Sequence, residues 1–441
     1  MKKIIIISIV FWGISSIVQA QNKPVQELNL KTILRIAYRN NFTIQKLKFL
    51  NSASNWENAL SWSPLLPQVS INGDYFFNMI YPQVGVIFGG ETILFPEAVP
   101  QATLNLEASM PILNLPDFEN HVSESWMNKS SNNTNQYQIC LMLEKIKALY
   151  YEVLASKAFL KVAIQDIKTL QKHLTIAKIS QKVGEGTRFD VLRIKAKLEN
   201  ALAQKVLDQN AIVIDRQELF DVLELPDKGE QIEGKLPTPN KMEIIKIKKW
   251  KMKIKHREDI EGQIEIKQAL HAKLLADEMQ WVPQIDVFGV RQFYKYGNYS
   301  PLILPNAQFQ NDYSVGVELT WNVLNGGRNI FEANRLKNLY QAQKATIKNL
   351  IVNAQENQLE WERQYVYDVK FYRAQLKNIA TSKESVRLAL MDIKTGEGTQ
   401  IDLLDAETDL FQAQAGAVEA KLDAAESLIH LEIAVGKFSK D

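Results

Sequence analysis

"VGEGTRFDVL" occupies Val183–Leu192 and "TGEGTQIDLL" occupies Thr395–Leu404. The two copies of Gly-Glu-Gly-Thr stand 212 positions apart, and in each an aspartate follows three residues after the threonine, with an apolar pair behind it. A phosphate-binding loop would need Gly-x-x-x-x-Gly-Lys-Ser/Thr after a strand. Here no lysine follows the second glycine, and the residues before each copy carry helical apolar spacing. A turn between two helices is the better reading. Glycine at a helix C-terminus supplies a left-handed residue. Thr187 or Thr399 then caps the next helix, and Asp190 or Asp402 completes a capping-box-like pair.

The prolines support long helices on either side. There are 14, none between Asp117 and Leu225 and none between Asn306 and Asp441. Proline breaks helices and central strands, so these two stretches can hold very long helices. Ile146, Val153, Leu160, Ile167 and Leu174 are spaced by seven, as are Tyr365, Tyr372, Ile379, Val386 and Ile393. A shift of 212 carries Val153, Leu160, Ile167 and Leu174 onto Tyr365, Tyr372, Ile379 and Val386. Seven-residue spacing is the coiled-coil period. A helix from about 118 to 183 would be roughly 100 Å long. Second apolar-periodic segments follow near 188–225 and 400–437, so each half contains a helical hairpin with Gly-Glu-Gly-Thr at its tip.

The proline-rich parts alternate with period two instead. Val69, Ile71, Gly73, Tyr75, Phe77 and Met79 alternate with Ser70, Asn72, Asp74, Phe76 and Asn78; Leu104, Leu106, Ala108 and Met110 with Thr103, Asn105, Glu107 and Ser109. Ile285, Val287, Gly289 and Phe293 repeat the pattern, with Arg291 as an exception, and so do Val315, Val317, Leu319 and Trp321. These predict four strands of about ten residues, long enough to cross an outer membrane when tilted. A soluble sheet over a hydrophobic core is the competing reading for any one strand. "LLPQVSING" (65–73) parallels "WVPQIDVFG" (281–289) at an offset of 216. Each half thus reads helix, strand, surface loop, strand, long helix, tip, helix, with loops near 80–100 and 295–310.

Composition narrows the class. Met1-Lys2-Lys3, "IIIISIVFWGISSIV" and "VQA" form a secretory signal peptide over 1–20, expected to be cut before Gln21. No later apolar run is long enough for a membrane-spanning helix. Without Lys2 and Lys3 the chain has 50 basic residues against 50 acidic ones, so net charge gives no reason to invoke nucleic acid. The basic run "KIKKWKMKIKHR" (246–257) reads as a packed segment with a solvated lysine side. Cys140 is the single cysteine, which excludes an intramolecular disulfide framework. The five histidines have no metal-ligand spacing, and no nucleophile elbow occurs. No catalytic site, metal or cofactor is expected.

The order of these parts resembles the TolC-like outer-membrane efflux proteins (outer membrane factors) over essentially the whole mature chain. The resemblance rests on "LNLKTILRIAYRNNFTIQ" (28–45), "LPQVS" and "VPQID" at the strand starts, "LTWNVLNGGR" (319–328) and "GEGTQIDLLDAETDL" (396–410). It implies an α+β fold of two tandem repeats. Long coiled-coil hairpins would form a periplasmic α-barrel tube, and four strands per protomer would build a 12-stranded barrel in a homotrimer. Four strands cannot close alone, and an open edge in lipid leaves backbone groups unsatisfied. The expected layout is repeat one over 21–225, an inter-repeat equatorial segment over 226–257 that contributes to a belt around the tube, and repeat two over 258–441.

The implied function is a passive outer-membrane conduit for efflux or type I secretion. Its partners would be a periplasmic adaptor, an inner-membrane RND or ABC transporter and outer-membrane lipid. The tips, through Gly184, Gly186, Thr187, Gly396, Gly398 and Thr399, would meet the adaptor, because small residues permit close backbone approach. Asp190, Asp402 and Asp405 would ring the periplasmic aperture. Glu107 and Glu318, on the polar side of strands two and four, would face the barrel lumen and favour cations. One departure stands out: the tyrosine and arginine that help close the family's gate are Ile393 and Gly398 here. A structural or adhesive trimeric coiled-coil surface protein is the alternative, and a periplasmic hydrolase lacks the paired catalytic groups it would need.

Overall fold

The computed structural model describes residues 28–77, 83–96, 100–240, 254, 256–296 and 308–436. The expected signal peptide lies outside these residues, as do most of the basic run and parts of both strand-connecting loops. Among the described residues there are seven α-helices: α1 (Leu30–Asn40), α2 (Phe42–Leu60), α3 (Leu115–Lys182), α4 (Arg188–Leu223), α5 (Glu258–Glu278), α6 (Arg328–Thr395) and α7 (Gln400–Val435). Six strands accompany them: β1 (Gln68–Tyr75), β2 (Gln83–Phe88), β3 (Glu91–Pro96), β4 (Pro100–Leu113), β5 (Gln284–Tyr296) and β6 (Gln310–Thr320).

The two hairpins are the same length. Helices α3 and α6 have 68 residues each, and α4 and α7 have 36 each. At 1.5 Å per residue these are about 102 and 54 Å long. The ends follow from local chemistry. Asn114 caps α3 by accepting from the Asp117 amide at 3.1 Å, with a proline in the first turn. Helix α6 begins behind Gly326 and Gly327, both at positive φ. Helix α4 stops at Glu224 in the left-handed region, two residues before Pro226, and α7 stops at Gly436.

Each long helix is accompanied in two stages. Near the tips α3 and α6 pack against α4 and α7. Further up, α2 runs back along α3, with Ile44 and Leu47 against Ile139 and an Asn51–Asn135 side-chain bond at 2.6 Å. Helix α5 lies against both α3 and α6; Ser123 donates to the Ala269 carbonyl at 2.9 Å, and Gln343 to the Gln263 carbonyl at 3.0 Å. The largest core cluster sits between the stages. There Ile33, Ile146, Val153, Leu219 and Phe220 meet Ile232 and Leu236 of the inter-repeat segment. That segment is tied to Leu28 by a parallel bridge at Ile232 and to Lys157 by a bond to the Ile232 carbonyl at 2.7 Å. In the second hairpin, Tyr365, Val369 and Tyr372 of α6 pack against a row of alanines on α7, including Ala417, Ala420 and Ala424. Large residues facing small ones allow close helix approach. Every predicted heptad position is buried or half-buried.

The main sheet is antiparallel in the order β1-β4-β5-β6. It joins the pair from each repeat through β4 and β5. Among the described residues, β1 and β6 each pair on one side only and form the two edges of the sheet. The strand expected to run to residue 79 ends at Tyr75. The 80–100 segment, read from sequence as a surface loop, instead carries the β2–β3 hairpin. Its two-residue turn is Gly89-Gly90, at φ +63 and +92, a conformation that suits glycine and brings the strands together. No described helix is long and apolar enough to cross a membrane.

Candidate functional site

The tips are built by two glycines with different tasks. The first, Gly184 or Gly396, has φ of +85 or +83, and a Cβ added there would meet nothing within 4 Å. The next amide closes the helix: Glu185 donates to the Ser180 carbonyl and Glu397 to that of Asp392, both at 2.9 Å. This is the six-to-one bond of a Schellman motif. The second glycine folds back onto the helix end. A Cβ on Gly398 would lie 2.8 Å from the Asp392 Cβ, and one on Gly186 would lie 3.1 Å from the Ser180 Cβ. Only the first glycine of each pair therefore presents open surface; the second is needed for the turn itself.

Thr187 and Thr399 are also occupied. The Asp190 amide donates to the Thr187 hydroxyl oxygen at 3.1 Å, and the Thr187 amide donates to the Asp190 carboxylate at 3.2 Å. The Thr399–Asp402 box matches it at 3.2 and 3.1 Å. The bonds from the Thr399 hydroxyl and amide hold the Asp402 carboxyl below the usual range. Asp405 has different partners. Lys197 of α4 lies 3.1 Å from its carboxylate and Arg193 lies 3.6 Å away. The three aperture candidates are thus two capping acids and one ion-paired acid. Ile393 and Gly398, expected from the resemblance to stand where the family has its gate residues, are half-buried.

The strand register sorts charge by face. Glu107 sits opposite Ser70 and Val290, and Glu318 opposite Asp286. Both lie on the face that also carries Asp74, Asp286 and Asp312, while no lysine or arginine of these strands shares it. The other face is formed by Val69, Ile71, Leu104, Leu106, Val315, Val317 and Leu319, with Arg291 and Lys295 as its charged members. Several of its members are strongly exposed in the single protomer, including Val315 at 77%. Reading the sequence singled out Glu107 and Glu318 but missed Asp74, Asp286 and Asp312. Their alternation was visible; the register that gathers them was not.

The histidines are scattered: His256 is exposed beside Glu261 at 3.1 Å, and others sit in packing sites. His121 bonds to Ser61 at 2.7 Å, His173 to Glu407 at 2.6 Å, and His430 stacks on Trp361. Burial lowers the pKa values of His121 and His430.

A four-stranded sheet with two open edges, standing on paired hairpins of equal length, defines the class: the fold is that of the TolC-like outer-membrane channels. The outer membrane protein TolC of Vibrio cholerae is 22% identical over 316 residues, 68% of each chain. Among solved structures, CusC matches with a TM-score of 0.72 at 16% identity over 92% of both chains. VceC of Vibrio cholerae gives 0.72 at 13% identity, over 92% of this chain and 96% of its own. The open state of the MtrE outer membrane channel of Neisseria gonorrhoeae gives 0.69 at 19%, over 93% and 90%. No family model matches the chain.

Proposed function

We propose that the protein is a passive outer-membrane channel of an efflux or secretion system, working as a homotrimer with a periplasmic adaptor and an inner-membrane pump. The observation that carries this reading is the sheet. One face is largely apolar, with Arg291 and Lys295 as its charged members, the other carries acids without bases, and both edges are open. Three copies would close twelve strands, remove the edges and leave an acidic lumen. Acid-lined pores favour cations, so Glu107 and Glu318 act with Asp74, Asp286 and Asp312. The conduit does no chemistry of its own.

The repeat also supports a ring. Within the protomer, Leu404 of the second hairpin is 2% exposed among Ile167, Leu170, Ile194 and Leu198 of the first. Its counterpart Leu192 is 54% exposed. Moving that contact by 212 positions sets Leu192 of the next protomer against Ile379, Ser382, Ala406 and Leu410. The same shift turns the Lys197–Asp405 pair into an Asp409–Arg193 pair with its charges reversed. In this arrangement six tips share one level. Gly184 and Gly396 offer the adaptor open backbone, while Gly186, Gly398, Thr187 and Thr399 shape the turn. Asp190, Asp402 and Asp405 surround the aperture.

Planar-bilayer recording of the purified protein tests the function. Discrete cation-selective conductance steps are expected, together with a trimeric mass in detergent. A trimer without conductance would point to the adhesive alternative, and a monomer would overturn both readings.

A further inference from the structure

A cavity of about 320 Å³ lies where α7 crosses the α3–α4 hairpin. Asp166, Leu170, Lys197, Leu404, Glu407 and Phe411 line it. The Glu407 side chain is 9% exposed. Its Oε1 accepts from His173 Nε2 at 2.6 Å, whereas its Oε2 is buried without a hydrogen-bond partner. The neighbouring ammonium does not reach it: Lys197 Nζ donates to the Leu404 carbonyl at 3.1 Å, to Asp405 at 3.1 Å and to the Thr408 hydroxyl at 2.9 Å. Those three bonds use all the donors a lysine has. A buried carboxylate oxygen left in this state is costly. Among the described residues, no group of three or more His, Cys, Asp or Glu side chains is arranged to hold a metal ion.

We propose that this cavity binds a small organic ammonium ion, its N–H groups donating to Glu407 and Asp166 and its hydrocarbon part lying against Leu170, Leu404 and Phe411. The mixture of apolar walls and a few convergent acceptors is what ligand pockets ordinarily show. Asp166 supports the assignment. Burial, reinforced by the Glu407 carboxylate and opposed by Lys197, raises its pKa to about 6. A bound cation would offset both effects. The site occurs once per chain, because the repeat counterparts of Asp166 and Glu407 are Asn378 and Lys195. It does not depend on the channel reading.

Equilibrium dialysis of the full-length protein against 1-naphthylmethylammonium and its neutral isostere 1-naphthylmethanol tests the proposal. The ammonium should bind saturably at one site per chain, and the alcohol about tenfold or more weaker, as expected for loss of a charge-assisted hydrogen bond. Glu407→Gln should erase that preference. Asp166→Asn, at a half-buried position, should reduce it if the first variant fails to fold, and Glu397→Gln at the exposed tip should leave it intact. Equal binding of ammonium and alcohol, an unchanged preference in a folded Glu407→Gln or Asp166→Asn protein, or absence of saturable binding would each overturn it and leave a water-filled cavity.

Discussion

Leu192 and Leu404 occupy equivalent places in the two repeats but opposite environments, so one substitution made at both separates assembly from folding. Leu404 is 2% exposed inside the protomer. Leu404→Asn removes a packed side chain and buries an amide, at a cost of about 2–5 kcal/mol to the contact between hairpins. Leu192 is 54% exposed, and Leu192→Asn should change protomer stability by less than about 0.5 kcal/mol. Fully burying a leucine is worth about 1.5–3 kcal/mol. Covering the exposed half of Leu192 against a neighbour therefore contributes about 0.8–1.5 kcal/mol per contact by the same scale. Three contacts around a ring give roughly 2.5–4.5 kcal/mol, or about 60- to 2,000-fold in trimer dissociation. Sedimentation of the detergent-solubilised protein over a dilution series reads the second quantity. Hydrogen exchange along α3 and α7 reads the first. The expected result is a dissociating but locally protected Leu192→Asn protein and a locally unprotected Leu404→Asn protein. A Leu192→Asn trimer as stable as the parent would refute the repeat-derived contact.

Reversing Arg193 or Asp409 alone should weaken the trimer, and the double reversal Arg193→Asp with Asp409→Arg should recover part of the loss in the same sedimentation assay. At the tips, Gly398→Ala should perturb the turn because its Cβ would sit 2.8 Å from that of Asp392. Gly396→Asn should keep the turn, since asparagine tolerates positive φ, yet reduce adaptor-dependent drug resistance; trimer yield separates the two effects. Lys197→Gln should strengthen block of the channel by multivalent cations by releasing Asp405, and Asp405→Asn should weaken it, both read in bilayer recordings. Asp166, with its pKa raised to about 6 from 3.8, binds its proton more tightly in the folded state. Its contribution therefore favours folding as pH falls through 6 towards 3.8 and opposes folding above that window. Asp166→Asn should raise the melting temperature at pH 7.5 and flatten its dependence between pH 4 and 6.

The helical part of the fold was legible because its signals are local and periodic. Proline-free stretches, heptads from Ile146 and Tyr365, and the capped tips all agree with helices whose ends lie within a few residues of the prediction. The strands of the main sheet were legible by alternation. The β2–β3 hairpin is the exception: Gly89-Gly90 between "QVGVIF" and "ETILFP" is a hairpin signal, but glycine and proline also crowd the rest of the 80–100 segment and suit a loop equally well. The partners of the site residues were not legible for a different reason. Lys197 and Asp405 are 208 positions apart and His173 and Glu407 are 234 apart, so their meeting depends on how one hairpin is set against the other. The steric role of Gly186 and Gly398 was hidden too, because composition does not distinguish a glycine needed for its φ from one needed for its missing Cβ.

The matched helix lengths constrain how such a chain can change during evolution. Inserting seven residues into α3 alone would push one tip about 10 Å past its neighbour and leave the added turns without a facing helix. A longer hairpin needs a compensating insertion in α4, and level tips need the same pair of insertions in α6 and α7. Viable length variants should therefore come in coordinated sets of about 28 residues, four heptads at once. Single insertions should survive only outside the four helices, in the connections between strands and in the segment that joins the repeats.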